Sequence, residues 1–136
     1  MYEIFEHTAD LGLRVSASSL EELFRDAAIG LFAMVVDNLD EVNPVQAVEF
    51  QVDGSERDYL LFDWLNELLY RFDTEHLLFS QFEIAISTTG LTATARGEPL
   101  DPGRHRLSHE VKAITYHHLK VEQTAEGWQA ELIVDI

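Results

Sequence analysis

Asp10, Asp135 and the α-carboxylate of Ile136 are the groups whose chemistry first invites a site. The last residues read AELIVDI, in which Glu131 and Asp135 interrupt an apolar run and the main-chain carboxylate follows Asp135 at once. An α-carboxyl titrates near 3.3 to 3.7 when unperturbed, so at neutral pH it is as good a hard oxygen donor as an aspartate. Two such anions side by side are either an exposed strand end or half of a cation site. Asp10, in HTADLG, has two readings of its own. It is a good turn former, because its side chain can accept from amides two residues on. It is also a third oxygen donor, if the first and last segments are neighbours in a sheet. Anionic oxygens favour Ca²⁺, Mg²⁺ or Mn²⁺ over zinc or copper.

Nitrogen donors and nucleophiles form no comparable set. Histidines stand at positions 7, 76, 105, 109, 117 and 118. On a strand His117 and His118 point to opposite faces, and so do not share one ion. His117 then lies with Leu119 and Val121 as a half-buried strand histidine, and His118 lies with Lys112, Tyr116 and Lys120 in a small basic patch. His7 and Asp10 supply a base and an orienting acid without a nucleophile in an activating frame, so no catalytic residue is assigned. No glycine-rich phosphate loop is present, which excludes P-loop and dinucleotide-binding readings. The chain has no cysteine, hence no disulfide, thiolate metal site or Cys nucleophile, in keeping with a reducing compartment.

The bulk numbers limit the partners. At 136 residues and 46% apolar content the chain fits one domain, residues 1 to 136, with a core of ordinary size. Nine Lys and Arg against 25 Asp and Glu give a net charge of -16, which repels phosphodiester backbones and attracts cations and basic surfaces. Direct, strong nucleic-acid binding is disfavoured; contact with a basic protein that holds the nucleic acid is not. No signal peptide opens the sequence and no window is apolar enough for a membrane span, so a cytoplasmic location is expected.

Several elements must position these groups. Tyr2 and Ile4, then Leu11, Leu13 and Val15, suggest two short strands joined by a turn at Asp10 to Gly12. Ser19 and Glu22 form a capping box, and Leu20, Leu23, Phe24, Ala27, Ala28, Leu31, Phe32 and Val35 a helical stripe, predicting a helix over 20–36. QAVEFQVDG alternates as a strand with one wet face. A second helix is expected from near Ser55, capped by Ser55 and Asp58, burying Leu61, Trp64, Leu65, Leu68, Leu69 and Phe72. Its opposite face carries Asp63, Asn66, Glu67 and Tyr70, solvated surface or, through Tyr70, a partner-docking face. From Phe79 onward FEIAIS, LTATAR, VKAITYHHLKVEQ and WQAELIVDI alternate as strands between turns. Helices early and strands late predict an α+β fold, two main helices packed on one face of a largely antiparallel sheet.

HTADLGLRV, SLEELFRDAAIGLFAMV, WLNELLYRFDTE, HEVKAITYHHLKVE and GWQAELIVDI together resemble the archease family, in the family's order and over nearly the whole chain. The resemblance implies a two-layer α/β sandwich. It also implies a non-catalytic partner of the tRNA-splicing RNA ligase that joins 2′,3′-cyclic phosphate or 3′-phosphate ends to 5′-hydroxyl ends, promoting guanylylation and multiple turnover of that ligase. The family's metal positions fall on Asp10, Asp135 and Ile136, implying a divalent cation, Ca²⁺ first and Mg²⁺ or Mn²⁺ next. Val134 stands where the family commonly has an aromatic. The alternatives are a chaperone-like protein-binding module and a small metal-dependent phosphoester hydrolase using His7 and Asp10.

Overall fold

Ser19 begins the first helix as its sequence predicts: its hydroxyl oxygen accepts from the Glu22 amide at 3.2 Å. The reciprocal half of the box is replaced, because the Glu22 carboxylate accepts from Ser18 Oγ at 2.8 Å. In the computed structural model, which describes residues 1–136, this helix is α1, Leu20–Val35. The second, α2, spans Arg57–Glu75 and starts later than expected, with Glu56 at the N-cap and no side-chain cap. Asp58 does not cap it. Its Oδ1 accepts instead from the Val121 amide at 2.7 Å, a contact between distant segments. Trp64 Nε1–H donates to the Phe24 carbonyl at 3.2 Å and ties the two helices together. Neither helix is long and apolar enough to cross a membrane.

The strands are β1 (Tyr2–His7), β2 (Asp10–Ala17), β3 (Gln46–Asp53), β4 (Leu77–Ser87), β5 (Gly90–Pro99), β6 (Ala113–Ile114), β7 (Lys120–Thr124) and β8 (Gly127–Asp135). All pairs are antiparallel. The fold is α+β, two helices packed against antiparallel strands, and the strands divide between two sheets rather than forming one. One runs β1-β2-β8-β6 with β7 also on β8, and the other runs β3-β5-β4. α1 packs against β1, β2 and β8 of the first sheet and β4 of the second.

The core lies where these surfaces meet. Leu13, Val15, Leu132 and Val134 point into it from the first sheet, and Phe24, Leu31, Phe32, Trp64 and Leu65 from the helices. Phe32, Phe50, Trp64, Phe79 and Phe82 form one aromatic cluster with ring centroids 5.4 to 6.4 Å apart. Burying each such side chain stabilises the fold by roughly 1.5 to 3 kcal/mol.

Two expected turns move. The bend between β1 and β2 falls at Thr8 and Ala9, with Ala9 at φ 63°, and not at Asp10 to Gly12. Gly12 sits inside β2, where the Phe5 ring occupies the space a Cβ would need. The expected strand VKAITYHHLKVEQ is broken after Ile114, and His117 and His118 form a turn with His118 at φ 61°.

Candidate metal centre

The site grows out of strand register. Leu11 pairs with Val134 and Leu13 with Leu132, all buried toward the helices, while Gly12 with Ile133 and Arg14 with Glu131 take the other face. Continuing that register by one residue sets Asp10 across from Asp135 on the same outward face. On one side of this pair β1 places His7 opposite Asp10, and on the other β6 places Ala113 opposite Asp135. Directly opposed residues of antiparallel strands have Cβ atoms about 4.5 to 5.5 Å apart. The first and last long strands of the sheet therefore bring their acidic ends together. Ile136 packs its side chain partly against the core and lines one open depression with Asp10, Glu6, His7 and His109. Asp135 stands beside that depression rather than in its wall.

These backbones are pinned while the carboxylates are left free. The Lys112 amide donates to the Asp135 carbonyl at 2.8 Å. No ion pair or side-chain hydrogen bond engages the Asp10 or Asp135 carboxylate. The turn-former reading of Asp10 accordingly fails: it accepts from no backbone amide, and the bend precedes it. No three His, Cys, Asp or Glu side chains are arranged to hold an ion, and Asp10 and Asp135 offer a pair of oxygen donors. Such a set is all oxygen, which suits a hard divalent cation with water in its remaining positions.

Comparison with known proteins settles the family. Residues 2–136 match the model of the Archease protein family. The chain belongs to this family. It is 44% identical to protein archease of Pyrococcus abyssi over 140 residues, covering 99% of this chain and 98% of that protein. Protein archease of Methanopyrus kandleri is 42% identical, with 99% of each chain covered. The solution structure of a Methanobacterium thermoautotrophicum protein superposes with a TM-score of 0.88 at 34% identity, covering 99% of this chain and 98% of that one. A crystal structure of a Thermotoga maritima archease shares the fold, with a TM-score of 0.69 at 23% identity over 100% of this chain and 98% of that one.

Elsewhere in this archease-family chain the histidines depart from expectation. His117 is not a half-buried strand residue: both turn histidines are exposed, with ring centroids 4.0 Å apart, because the chain leaves strand geometry before them. The expected basic patch is dispersed as well. Lys120 bonds to Glu122 at 2.7 Å, a contact that raises its pKa, and Tyr116 turns to stack on Tyr59.

The sequence reading missed a buried polar cluster. Glu98 in β5 accepts from the Asn43 amide at 2.7 Å, from Arg104 Nη2 at 2.5 Å and from His105 Nε2 at 3.1 Å. His105, only 2% exposed, accepts at Nδ1 from the Asp101 amide at 2.9 Å, which fixes the neutral tautomer with its proton on Nε2. The Arg104 hydrogen bond, then the Asn43 amide, hold the Glu98 carboxyl down at about 2. Nothing periodic in the sequence marks His105 as buried. Beyond the cluster the chain runs along the end of α1, Ser108 and His109 donating to the Val35 and Met34 carbonyls at 2.8 and 2.9 Å, which delivers His109 to the depression.

Proposed function

We propose that this chain is a non-catalytic activator of an RNA ligase that seals 2′,3′-cyclic phosphate or 3′-phosphate ends to 5′-hydroxyl ends, and that it works with a divalent cation. Asp10, Asp135 and the α-carboxylate of Ile136 would hold the ion, Ca²⁺ in the first place and Mg²⁺ or Mn²⁺ next. The observation that carries this reading is the pair of uncompensated carboxylates on pinned, adjacent strand ends in a chain of this family. A bound cation supplies positive charge to an anionic edge and leaves coordination positions for water or for oxygens of a partner.

The protein's own residues do the positioning. β2 and β8 fix the spacing of the two aspartates, and the Lys112 amide holds the backbone of Asp135. A net charge of -16 favours docking beside a basic ligase surface while avoiding competition for its RNA.

The test is ligation with a limiting amount of the partner ligase, GTP and Mn²⁺, with and without this protein. Guanylylation and the number of turnovers should both rise. Unchanged values across protein concentrations reject the reading. Suppressed aggregation of unrelated proteins would point to the chaperone-like module, and phosphoester turnover by the purified chain alone to the hydrolase.

A further inference from the structure

The exposed flank of α2 concentrates features that the carboxylate site does not use. Tyr59 and Tyr116 are 52% and 40% exposed, yet their rings stack at 4.8 Å with an interplanar angle of 17°. Phe62 meets Tyr116 at 5.3 Å and 79°, so the pair rests on an aromatic floor. Order of this kind on a surface limits the side-chain entropy lost when something binds.

Acids border this platform outside any ion pair, and Lys120, the cation that feels Asp58, is bonded to Glu122. Glu56 and Asp63 lie three residues before and four after Tyr59, positions that flank it on a helix surface. Neither they nor Asp58 or Glu67 enter an ion pair, whereas Glu75, Glu83, Glu98, Glu122 and Glu131 all do. Arg57, the cation nearest in sequence, is directed over the Trp128 ring at 4.7 Å. Asp58 and Glu56 act on the Tyr116 hydroxyl as well, adding to burial and the neighbouring Tyr59 hydroxyl, which push it up to about 12. Tyr59, Asp63, Asn66 and Tyr70 continue the face along α2, with Tyr70 61% exposed.

We propose that this face docks an arginine of a basic protein surface, with the guanidinium stacked on Tyr59 and its N–H groups bonded by Glu56 and Asp63. Arginine fits better than lysine because its planar cation stacks on aromatic rings and forks onto carboxylates. A nucleic-acid base fits worse, since base-stacking platforms work together with cationic grooves and the carboxylates here repel phosphate. The inference rests on the proposed function for its partner, a basic RNA ligase, and adds a contact separate from the strand-end carboxylates.

Binding of the full-length protein to the ligase, to nona-arginine, to nona-lysine and to a tRNA is measured by calorimetry at fixed salt. Tyr59→Leu and Asp63→Asn should each weaken the ligase and nona-arginine at least fivefold and nona-lysine less than twofold. Tyr59→Phe, which keeps the ring, should restore binding. Asp40→Asn, an equal charge change elsewhere, should alter it less than twofold, and melting temperatures should show every variant folded. Wild-type affinity of Tyr59→Leu and Asp63→Asn for both the ligase and nona-arginine overturns the inference. So does tRNA binding that the same substitutions weaken. If the unaltered protein fails to bind the ligase, the partner reading falls and the nona-arginine arm alone decides the surface: loss in Tyr59→Leu supports it, retention overturns it.

Discussion

Glu98 and Asp10 are carboxylates on antiparallel strands, and the fold treats them oppositely. Glu98 is buried and accepts from a guanidinium, an imidazole and a backbone amide. Asp10, with Asp135 across from it, accepts from nothing and lies at the open end of the other sheet. A carboxylate with local compensation locks a loop, here 100–106, onto the segment after α1. Asn38 closes the same latch, donating to the Arg104 carbonyl at 2.9 Å and accepting from the Arg106 amide at 2.8 Å. A carboxylate without such compensation keeps its oxygens open to solvent.

The comparison breaks most visibly at Glu98. Glu98→Ala strands Arg104, His105 and the Asn43 amide, and should cost about 3 kcal/mol of stability by chemical denaturation. For a domain of this size that corresponds to a fall in melting temperature of roughly 10 °C. Mn²⁺ affinity should change less than twofold. An unchanged denaturation midpoint would show that the buried cluster is not holding the loop.

Asp10→Asn should do the reverse. Cation affinity by calorimetry should fall at least tenfold, about 1.4 kcal/mol. Stability in chelator should hold or rise slightly as repulsion with Asp135 is relieved. Extending the chain beyond Ile136 converts its carboxylate into a neutral carbonyl and should weaken the cation similarly. Equal affinity in all three proteins removes the strand-end site.

Acid sharpens the contrast with a smaller effect. The Glu98 carboxyl is held at about 2, below its ordinary 4.5, so the folded state binds fewer protons than the unfolded state in that window. Its stabilisation is fully present above pH 4.5 and is lost as pH falls through 2. The urea midpoint of the unaltered protein should drop more steeply over this interval than that of Glu98→Ala, and parallel curves would refute the assignment.

The smallest effect comes from Tyr116, an acid held in its neutral form. With its hydroxyl pushed up to about 12 from 10, chiefly by burial, the folded state keeps the proton longer. Its contribution to stability is present below pH 10 and lost as pH rises through 12. Absorbance titration should show one tyrosine ionising last, near 12, and Tyr59→Leu should move that step downward by removing the neighbouring hydroxyl. A single uniform step near 10 would contradict the stacked pair.

Legibility followed the distance over which each feature is decided. Helix α1 ends within a residue of its expected bounds, because its cap and stripe are written in consecutive turns. The start of α2 was misread because Asp58, a plausible cap, is claimed by Val121 on β7. Gly12 looked like a turn residue, since nothing local announces that Phe5 lies across it. His117 and His118 were placed on a strand by alternation that the left-handed backbone at His118 interrupts.

The sequence by itself determined the kinds of chemistry available: oxygen donors at both ends of the chain, no thiol, a large negative charge and two amphipathic helices. These follow from side-chain type and short-range periodicity, which do not depend on where the rest of the chain lies. Only the tertiary structure decided which acids are neutralised. Glu98 meets Arg104 and Asn43 because β5 and the segment after α1 converge, and Asp10 and Asp135 stand at the ends of neighbouring strands because β2 pairs with β8. Coulombic and hydrogen-bond energies vary over a few ångströms, so register between distant strands, and not spacing along the chain, separates a structural carboxylate from an open one.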